Sequence, residues 1–386
     1  MRRLTALAAA GLAAAAVVIA TGCGGDATAA SEQAATGPVG LADTCTGTIA
    51  VMAPYGDRPG DDGSIMNWAR VALDKFNTEH QTAFTILPEP VDTDPKAGAA
   101  AARAVAANRA VIGLVGPKTS GVTEAIGPIL DKAGIAWVSP AATRTDLADG
   151  HLKGFHRVVP DDSVQGPAIA DFIAGPLGGG PVVVVHNPEP YSEGLAESIT
   201  SALAAKGITP THQLVAPLAG ADYSRVIAQI PRGTHVVAIP FLDAGDASRF
   251  VRQLRATGRD PQIIGGDGVF VPSEFAEPGT YVSSYAPDLR ETAAGGEIIR
   301  LYKAIFGDLS QFGGPAYAAM EAVTDAALRT CADGTTTRAG VAKAIESTDL
   351  SSGLLGVPVR FTPGGNLVGG RFHVYRITGN DYTQVN

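Results

Sequence analysis

VIGLVGPKTSG (111–121) and GIAWVSPAATRT (134–145) decide how this chain folds. Each is a short apolar run that ends in a small, hydroxyl-bearing loop, and each loop opens a helix. The start of a helix leaves backbone N–H groups unpaired and carries the positive end of the helix dipole, so it suits a bound anion. In open α/β sheets, ligands lie at the carboxyl ends of the strands. Two such loops from consecutive strands make a candidate anion seat. Neither is accompanied by a nucleophile or a metal cluster, so the pattern points to binding before catalysis.

Outward from this pair, apolar runs and helical periodicity alternate along the chain. Strands are predicted at 48–54, 83–91, 111–115 and 135–138. The helices between them span 64–78, 95–108 (behind Asp94-Pro95) and 120–133. A second series holds helices at 162–174, 191–206, 222–230 and 244–257 and strands at 181–185, 212–216, 235–240 and 262–266. Strand 280–285 precedes helices 290–306, 314–331 and 338–347. Two last strands, 356–362 and 370–377, flank the turn Pro363-Gly364-Gly365-Asn366. Continuous apolar strands between amphipathic helices imply parallel sheets covered on both faces. Residues 45–386 are too many for one comfortable core. The expected fold is therefore α/β, with two doubly wound, Rossmann-like lobes of mainly parallel sheet and a cleft between them as the default site.

The amino terminus speaks to compartment. Arg2 and Arg3 precede an apolar run, Leu4–Ile19, of signal-peptide length. Ala20-Thr21-Gly22-Cys23 resembles the bacterial lipoprotein box. On that reading 1–22 is a signal peptide and Cys23 carries the lipid that anchors the protein to the outer face of the cell membrane. The plainer alternative is an ordinary signal cleaved near Ala20. Residues 23–44, rich in Gly, Ala, Ser and Thr, read as a flexible tether. Two cysteines remain, Cys45 and Cys331, and in an exported chain they are expected to pair. The formal charge is −9, and loss of Arg2 and Arg3 with the signal takes it to −11. No basic patch interleaved with aromatics appears, which argues against nucleic acid as a partner.

Several motifs together resemble the type I periplasmic solute-binding proteins of the leucine/isoleucine/valine-binding family, the receptor components of ABC importers. They are VGPKTSG (115–121), AGIAWVSPAAT (133–143), FHRVVPDDSVQGPAIADF (155–172), YSEGLAES (191–198), FVRQLRATG (250–258), IIGGDG (263–268) and AYAAMEAV (316–323). The resemblance covers essentially all of 46–386. It implies a three-crossover hinge, with lobe 1 formed by 45–161 plus 288–358 and lobe 2 by 162–287 plus 359–386. It implies a monomer that delivers a small-molecule ligand to a membrane permease, without a cofactor.

The resemblance also nominates site residues. A ligand carboxylate falls to Thr119 and Ser120 and to Ala141, Ala142 and Thr143, the alanines through backbone groups only. A ligand ammonium falls to Asp267 in Gly265-Gly266-Asp267-Gly268, and Tyr191 closes over the ligand. Each has a plainer reading. Thr119 and Ser120 suit a helix cap, Thr143 with Asp146 resembles a capping box, and Asp267 could be a turn residue. Tyr191 could be an ordinary surface aromatic. The loop Pro240–Gly245 departs from branched-chain binders: Phe241 could replace their aromatic wall, or Asp243 could make it polar. The first loop, Tyr55–Asp62, is unusually charged. Both departures count against a branched aliphatic ligand, with an amino acid still the first choice.

Two rival functions stand beside this one. A ligand sensor signalling to a membrane kinase or receptor would use the same bilobal fold. An exported hydrolase is disfavoured, because no G-x-S-x-G elbow, H-E-x-x-H, Walker loop or dinucleotide fingerprint occurs. The seven histidines lack metal-ligand spacing, and Asp161-Asp162 reads as a helix cap.

Overall fold

The computed structural model describes residues 44–385, apart from 56–63, 220–221, 293, 308, 310–311, 352 and 380. The segments expected as signal peptide and tether, with the expected lipidation site Cys23, and most of the charged first loop lie outside the described residues, save Thr44. In chain order the first half holds β1 (Thr46–Ala53), α1 (Ser64–His80), β2 (Ala83–Pro90), α2 (Pro95–Ala107) and β3 (Val111–Val115). It continues through α3 (Ser120–Ala133), β4 (Trp137–Ser139) and β5 (Phe155–Arg157). Next come α4 (Asp162–Ala174), β6 (Val182–His186), α5 (Pro190–Ala205), β7 (His212–Val215), α6 (Ser224–Ile227) and β8 (Val236–Ile239). After them lie α7 (Ala244–Ala256), β9 (Gln262–Gly265) and β10 (Tyr281–Ser284). The last elements are α8 (Gly295–Phe306), α9 (Gly313–Arg329), α10 (Arg338–Ile345), β11 (His373–Thr378) and β12 (Asp381–Gln384).

The strands form two sheets, one per lobe. The first has the order β2-β1-β3-β4-β5 and is parallel throughout. The second has the order β12-β11-β10-β9-β8-β6-β7, with β11 and β12 antiparallel at one edge. Its parallel part, β7-β6-β8-β9-β10, repeats the order of the first sheet. In each, the order reverses beside the lobe's first strand, which opens a crevice at the carboxyl ends.

Alternation along the strands sorts side chains between two cores per sheet. Ile49, Val51 and Ala53 of β1 face α1, α8, α9 and α10, whereas Ala50 and Met52 face α2 and α3. In the second sheet, Val183 and Val185 meet the α6 and α7 side, and Val182 and Val184 meet α4 and α5. Burial on both faces explains why these strands read as unbroken apolar runs. Local signals hold where they were strongest. Asp94 caps α2 through Lys96 N–H with Pro95 in the first turn, and Gly134 ends α3 in the left-handed region. Cys45, just before β1, is bridged to Cys331 after α9.

The chain passes between lobes after β5, after β10 and before β11. The segment expected as strand 356–362 forms only isolated bridges, Leu350 with Val359 and Phe361 with Leu367. Pro358 lacks a ladder donor, and the following turn has its own anchorage: Arg157 N–H donates to Gly365 O at 2.9 Å. Val359, Leu367 and Phe372 pack in the first lobe's core, so this stretch stays with lobe 1 until β11 begins. The expected helix 222–230 shrinks to the single turn of α6, and α8 starts at Gly295 rather than 290.

Candidate functional site

The carboxyl ends of both sheets meet at one small pocket. Lobe 1 lines it with Lys118, Thr119, Ser120, Ala141 and Phe312, and lobe 2 with Tyr191, Leu242, Asp267 and Gly268. Tyr285, at the second crossover, completes the lining. The lobes are in contact beside it. A Cβ on Gly121 of α3 would stand 3.6 Å from Pro190 Cγ of α5, and one on Gly194 of α5 would stand 3.2 Å from Arg144 Cγ.

The lobe 1 wall is a set of donors. Thr119 caps α3 by accepting from Val122 N–H at 3.4 Å, and the first-turn N–H groups of Ser120 and Gly121 have no acceptor inside the helix. Ser120 Oγ accepts the Arg144 N–H at 3.2 Å, so its own proton is free to point at a ligand. Ser139 Oγ donates to Pro117 O at 2.7 Å and accepts the N–H groups of Ala141 and Ala142 at 3.3 and 2.9 Å. Those two amides are therefore spent within the loop. What Ala141 can offer a ligand is its carbonyl. Ala142 lies behind, fully buried in the sheet-side core.

Arg157 shapes the second loop from beneath. It is fully buried and donates from Nη1 to Ala142 O at 3.1 Å and Arg144 O at 2.7 Å. It also donates to Asp161 Oδ2 at 3.1 Å and Asn366 Oδ1 at 2.6 Å. Burial lowers its pKa to about 10, which leaves it protonated at neutral pH. With the Ala142 carbonyl held by Arg157, the planar trans peptide turns Thr143 N–H the opposite way. The capping box expected of Thr143 and Asp146 does not form. The 3-10 turn Thr145–Ala148 has no side-chain cap, and Asp146 pairs with Arg144 instead. Thr143 Oγ1 is buried without a hydrogen-bond partner among the described residues.

The lobe 2 wall is acidic. Asp267 follows β9 and is buried, and burial raises its pKa to about 6 against the opposing pull of Gln165, Tyr191 and Lys118. Tyr191 OH donates to Asp267 Oδ1 at 2.9 Å and accepts Gly268 N–H at 3.0 Å. Its hydroxyl is thus committed to holding the acid, and only its ring is left to line the pocket. The flanking glycines are required by close approach. A Cβ on Gly266 would stand 2.4 Å from Tyr191 OH, and one on Gly268 would stand 2.5 Å from Phe241 O.

Phe241 itself does not reach the pocket. It is fully buried with Tyr223 and Phe250 in the lobe 2 core, and its neighbour Leu242 forms the wall. Asp243, the polar alternative, caps α7 through Asp246 N–H at 2.7 Å.

Asp162 was hidden behind its neighbour. Asp161 is the cap of α4, accepting Ser163 N–H at 3.0 Å. Asp162 is instead fully buried, and burial followed by the charge of Asp267 pushes its pKa well up. The Thr143 hydroxyl lies close enough to oppose that shift, yet neither Asp162 oxygen has a partner in hydrogen-bonding geometry among the described residues. Tyr285 OH is likewise buried and unpartnered, and its pKa is raised by burial and then by Asp267. The site thus gathers a donor wall, a buried acid and a set of unsatisfied polar atoms around one small pocket. Buried polar atoms without partners cost free energy, and a ligand bearing both donors and acceptors would satisfy them.

Residues 64–381 match the periplasmic binding protein family. The chain is a member of that family. Its role is to bind a small solute outside the cytoplasm, not to catalyse a reaction. The chain is 29% identical over 259 residues to the Leu/Ile/Val-binding protein homolog 3 of Brucella melitensis, covering 65% of this chain and 69% of that one. With the Leu/Ile/Val-binding protein homolog 1 of Brucella abortus it shares 27% identity over 61% of this chain and 64% of that one. These matches span about two thirds of each relative. Among solved structures, the leucine-binding protein LivK of Thermotoga maritima superposes with a TM-score of 0.78 at 20% identity, covering 88% of this chain and 97% of that one. The LivJ substrate-binding protein of Streptococcus pneumoniae, solved with isoleucine, gives 0.74 at 21% identity over 89% of this chain and 99% of that one. At such identities these two structures attest the bilobal fold.

Proposed function

We propose that this periplasmic binding protein is the receptor of an ABC importer and binds an α-amino acid between its lobes. One observation carries the reading. A hydrogen-bond-donor wall on lobe 1 faces the buried carboxylate of Asp267 on lobe 2 across a single pocket. An α-carboxylate fits Ser120 and the amides of the first wall. An α-ammonium fits Asp267, with Ala141 O, Thr143 Oγ1 and Asp162 as further acceptors nearby. A zwitterion that touches both walls favours the closed arrangement by its extra affinity for it. Relatives named for leucine, isoleucine and valine, and one of Pseudomonas aeruginosa named an amino acid binding protein, support the ligand class. The permease partner, the lipid anchor at Cys23 and the monomeric state belong to the same proposal, as does the role of each site residue.

Calorimetric titration of the purified protein with the standard amino acids tests it. The expected result is micromolar or tighter binding of at least one, about −8 kcal/mol or better. Binding of none of them, with a sugar or a peptide bound instead, would refute it.

A further inference from the structure

An amino acid with a neutral side chain leaves part of the pocket's hydrogen-bonding capacity unused. On the amino-acid reading, Ser120 and the first-wall amides provide for one carboxylate, and Asp267 provides for one ammonium. Lys118 is left over. It lies on the loop between β3 and α3, lines the same pocket and holds Nζ 5.0 Å from the centre of the Phe312 ring. Among the described residues no carboxylate forms an ion pair with it. Its charge still reaches Asp267, whose ionised form it favours.

An aromatic face attracts a cation but accepts none of its three N–H protons in the manner of an oxygen. Nearby, the wholly buried hydroxyl of Tyr285 also lacks a partner. The pocket therefore holds a charged donor and a neutral donor that the main-chain atoms of a ligand do not need. On the lobe 2 side the wall is Leu242 rather than an aromatic, because Phe241 points into its own core.

We propose that the ligand is an α-amino acid with an anionic side chain, whose second acid group binds Lys118 and Tyr285. This rests on the amino-acid reading above and narrows it. A glutamate- or aspartate-like molecule brings two anions and one cation, which matches the donor wall, Lys118 and Asp267 one for one. Lys118 is then a specificity-determining residue, separating an acid from its amide.

Acid and amide are nearly isosteric, so their comparison isolates the charge. Calorimetry of the unaltered protein with glutamate against glutamine, and aspartate against asparagine, is expected to show one acid favoured by about 10- to 100-fold, the worth of one charge-assisted hydrogen bond. Leucine and valine are expected to bind more weakly than that acid. Lys118→Met and, as a second variant, Lys118→Gln are expected to weaken the acid by the same factor and to leave the amide within about twofold. The proposal is overturned, with the amino-acid reading intact, if the unaltered protein binds amides or aliphatic amino acids as tightly as acids. It is also overturned if Lys118→Met weakens acid and amide alike, because Lys118 would then serve the α-carboxylate. Failure of every amino acid to bind would remove both readings together.

Discussion

Asp267→Asn tests the polarity of the cleft most directly. The substitution keeps the shape of the side chain and an oxygen to accept the Tyr191 hydroxyl, now 2.9 Å away. What it removes is the negative charge offered to a ligand ammonium. A hydrogen bond between charged groups contributes roughly 1.5–3 kcal/mol, so affinity for the best amino acid should fall about 10- to 150-fold. The same acid supplies a pH signature. Its pKa stands at about 6 in the ligand-free protein, and the ammonium binds its ionised form. Below that value the free site must first lose a proton, so wild-type affinity should weaken by about tenfold between pH 7 and pH 5. The asparagine variant should bind weakly and almost evenly over that range. Stability has the opposite sign. A carboxyl raised from 3.8 to about 6 holds more protons folded than unfolded, so its contribution to ligand-free stability declines as pH rises from about 4 through about 6. The full decline is roughly 3 kcal/mol, and the raised carboxyl of Asp162 acts in the same direction. Thermal melts of the ligand-free pair should show the variant gaining on the wild type as pH rises. Calorimetry at pH 5 and 7 decides the matter. Affinity unchanged within twofold in the variant, or equal wild-type affinity at both pH values, would refute an ammonium at Asp267.

Two further outcomes follow from the packing. Gly194→Val should weaken binding about 5- to 150-fold without touching the ligand, because the new side chain meets Arg144 Cγ, already 3.2 Å from a Cβ there, and overpacking of 1–3 kcal/mol falls only on the closed state. Small-angle scattering should show the ligand-induced compaction lost; compaction retained at wild-type affinity would contradict the seam. Replacing Cys45 and Cys331 together by serine frees a loop with a sequence separation of 286. It should lower unfolding stability by roughly 3–5 kcal/mol and leave ligand affinity intact, since Cys45 precedes β1 at the end away from the cleft. Chemical denaturation with parallel calorimetry checks both halves.

The period of the apolar pattern carried most of the fold. α3 runs over the 120–133 that helical spacing implies, and β3 over the predicted 111–115. Strands buried on both faces leave a signal that survives without tertiary context. Strand 356–362 misled because Val357, Val359 and Phe361 alternate correctly, yet their apolar faces are spent on the first lobe's core rather than on a ladder. The short, polar β12 had no apolar signal to find.

Within the site, legibility follows chain distance. Ser120 and Asp267 line the pocket because the strands that precede them end there, and a motif at a strand's carboxyl end shows that much. Phe241 and Leu242 could not be ranked the same way. Both follow β8, and which of them turns inward depends on Tyr223 and Phe250 meeting Phe241 from other elements. Asp161 and Asp162 pose the same problem in polar form, since adjacent residues at a helix start diverge, one to cap and one into the buried interior. Lys118 lies within the VGPKTSG motif, but the motif assigns it no role. Its meaning depends on Phe312, brought to it from the start of α9 by the second crossover, and on Tyr285 at that crossover itself. On the proposed reading, the groups that would bind what every amino acid shares sit on local loops, whereas those that would face its side chain are assembled from distant ones. A chain of this kind can therefore disclose that it binds an amino acid more readily than which one, and the charge on Lys118 is the feature of the folded pocket that bears on the second question.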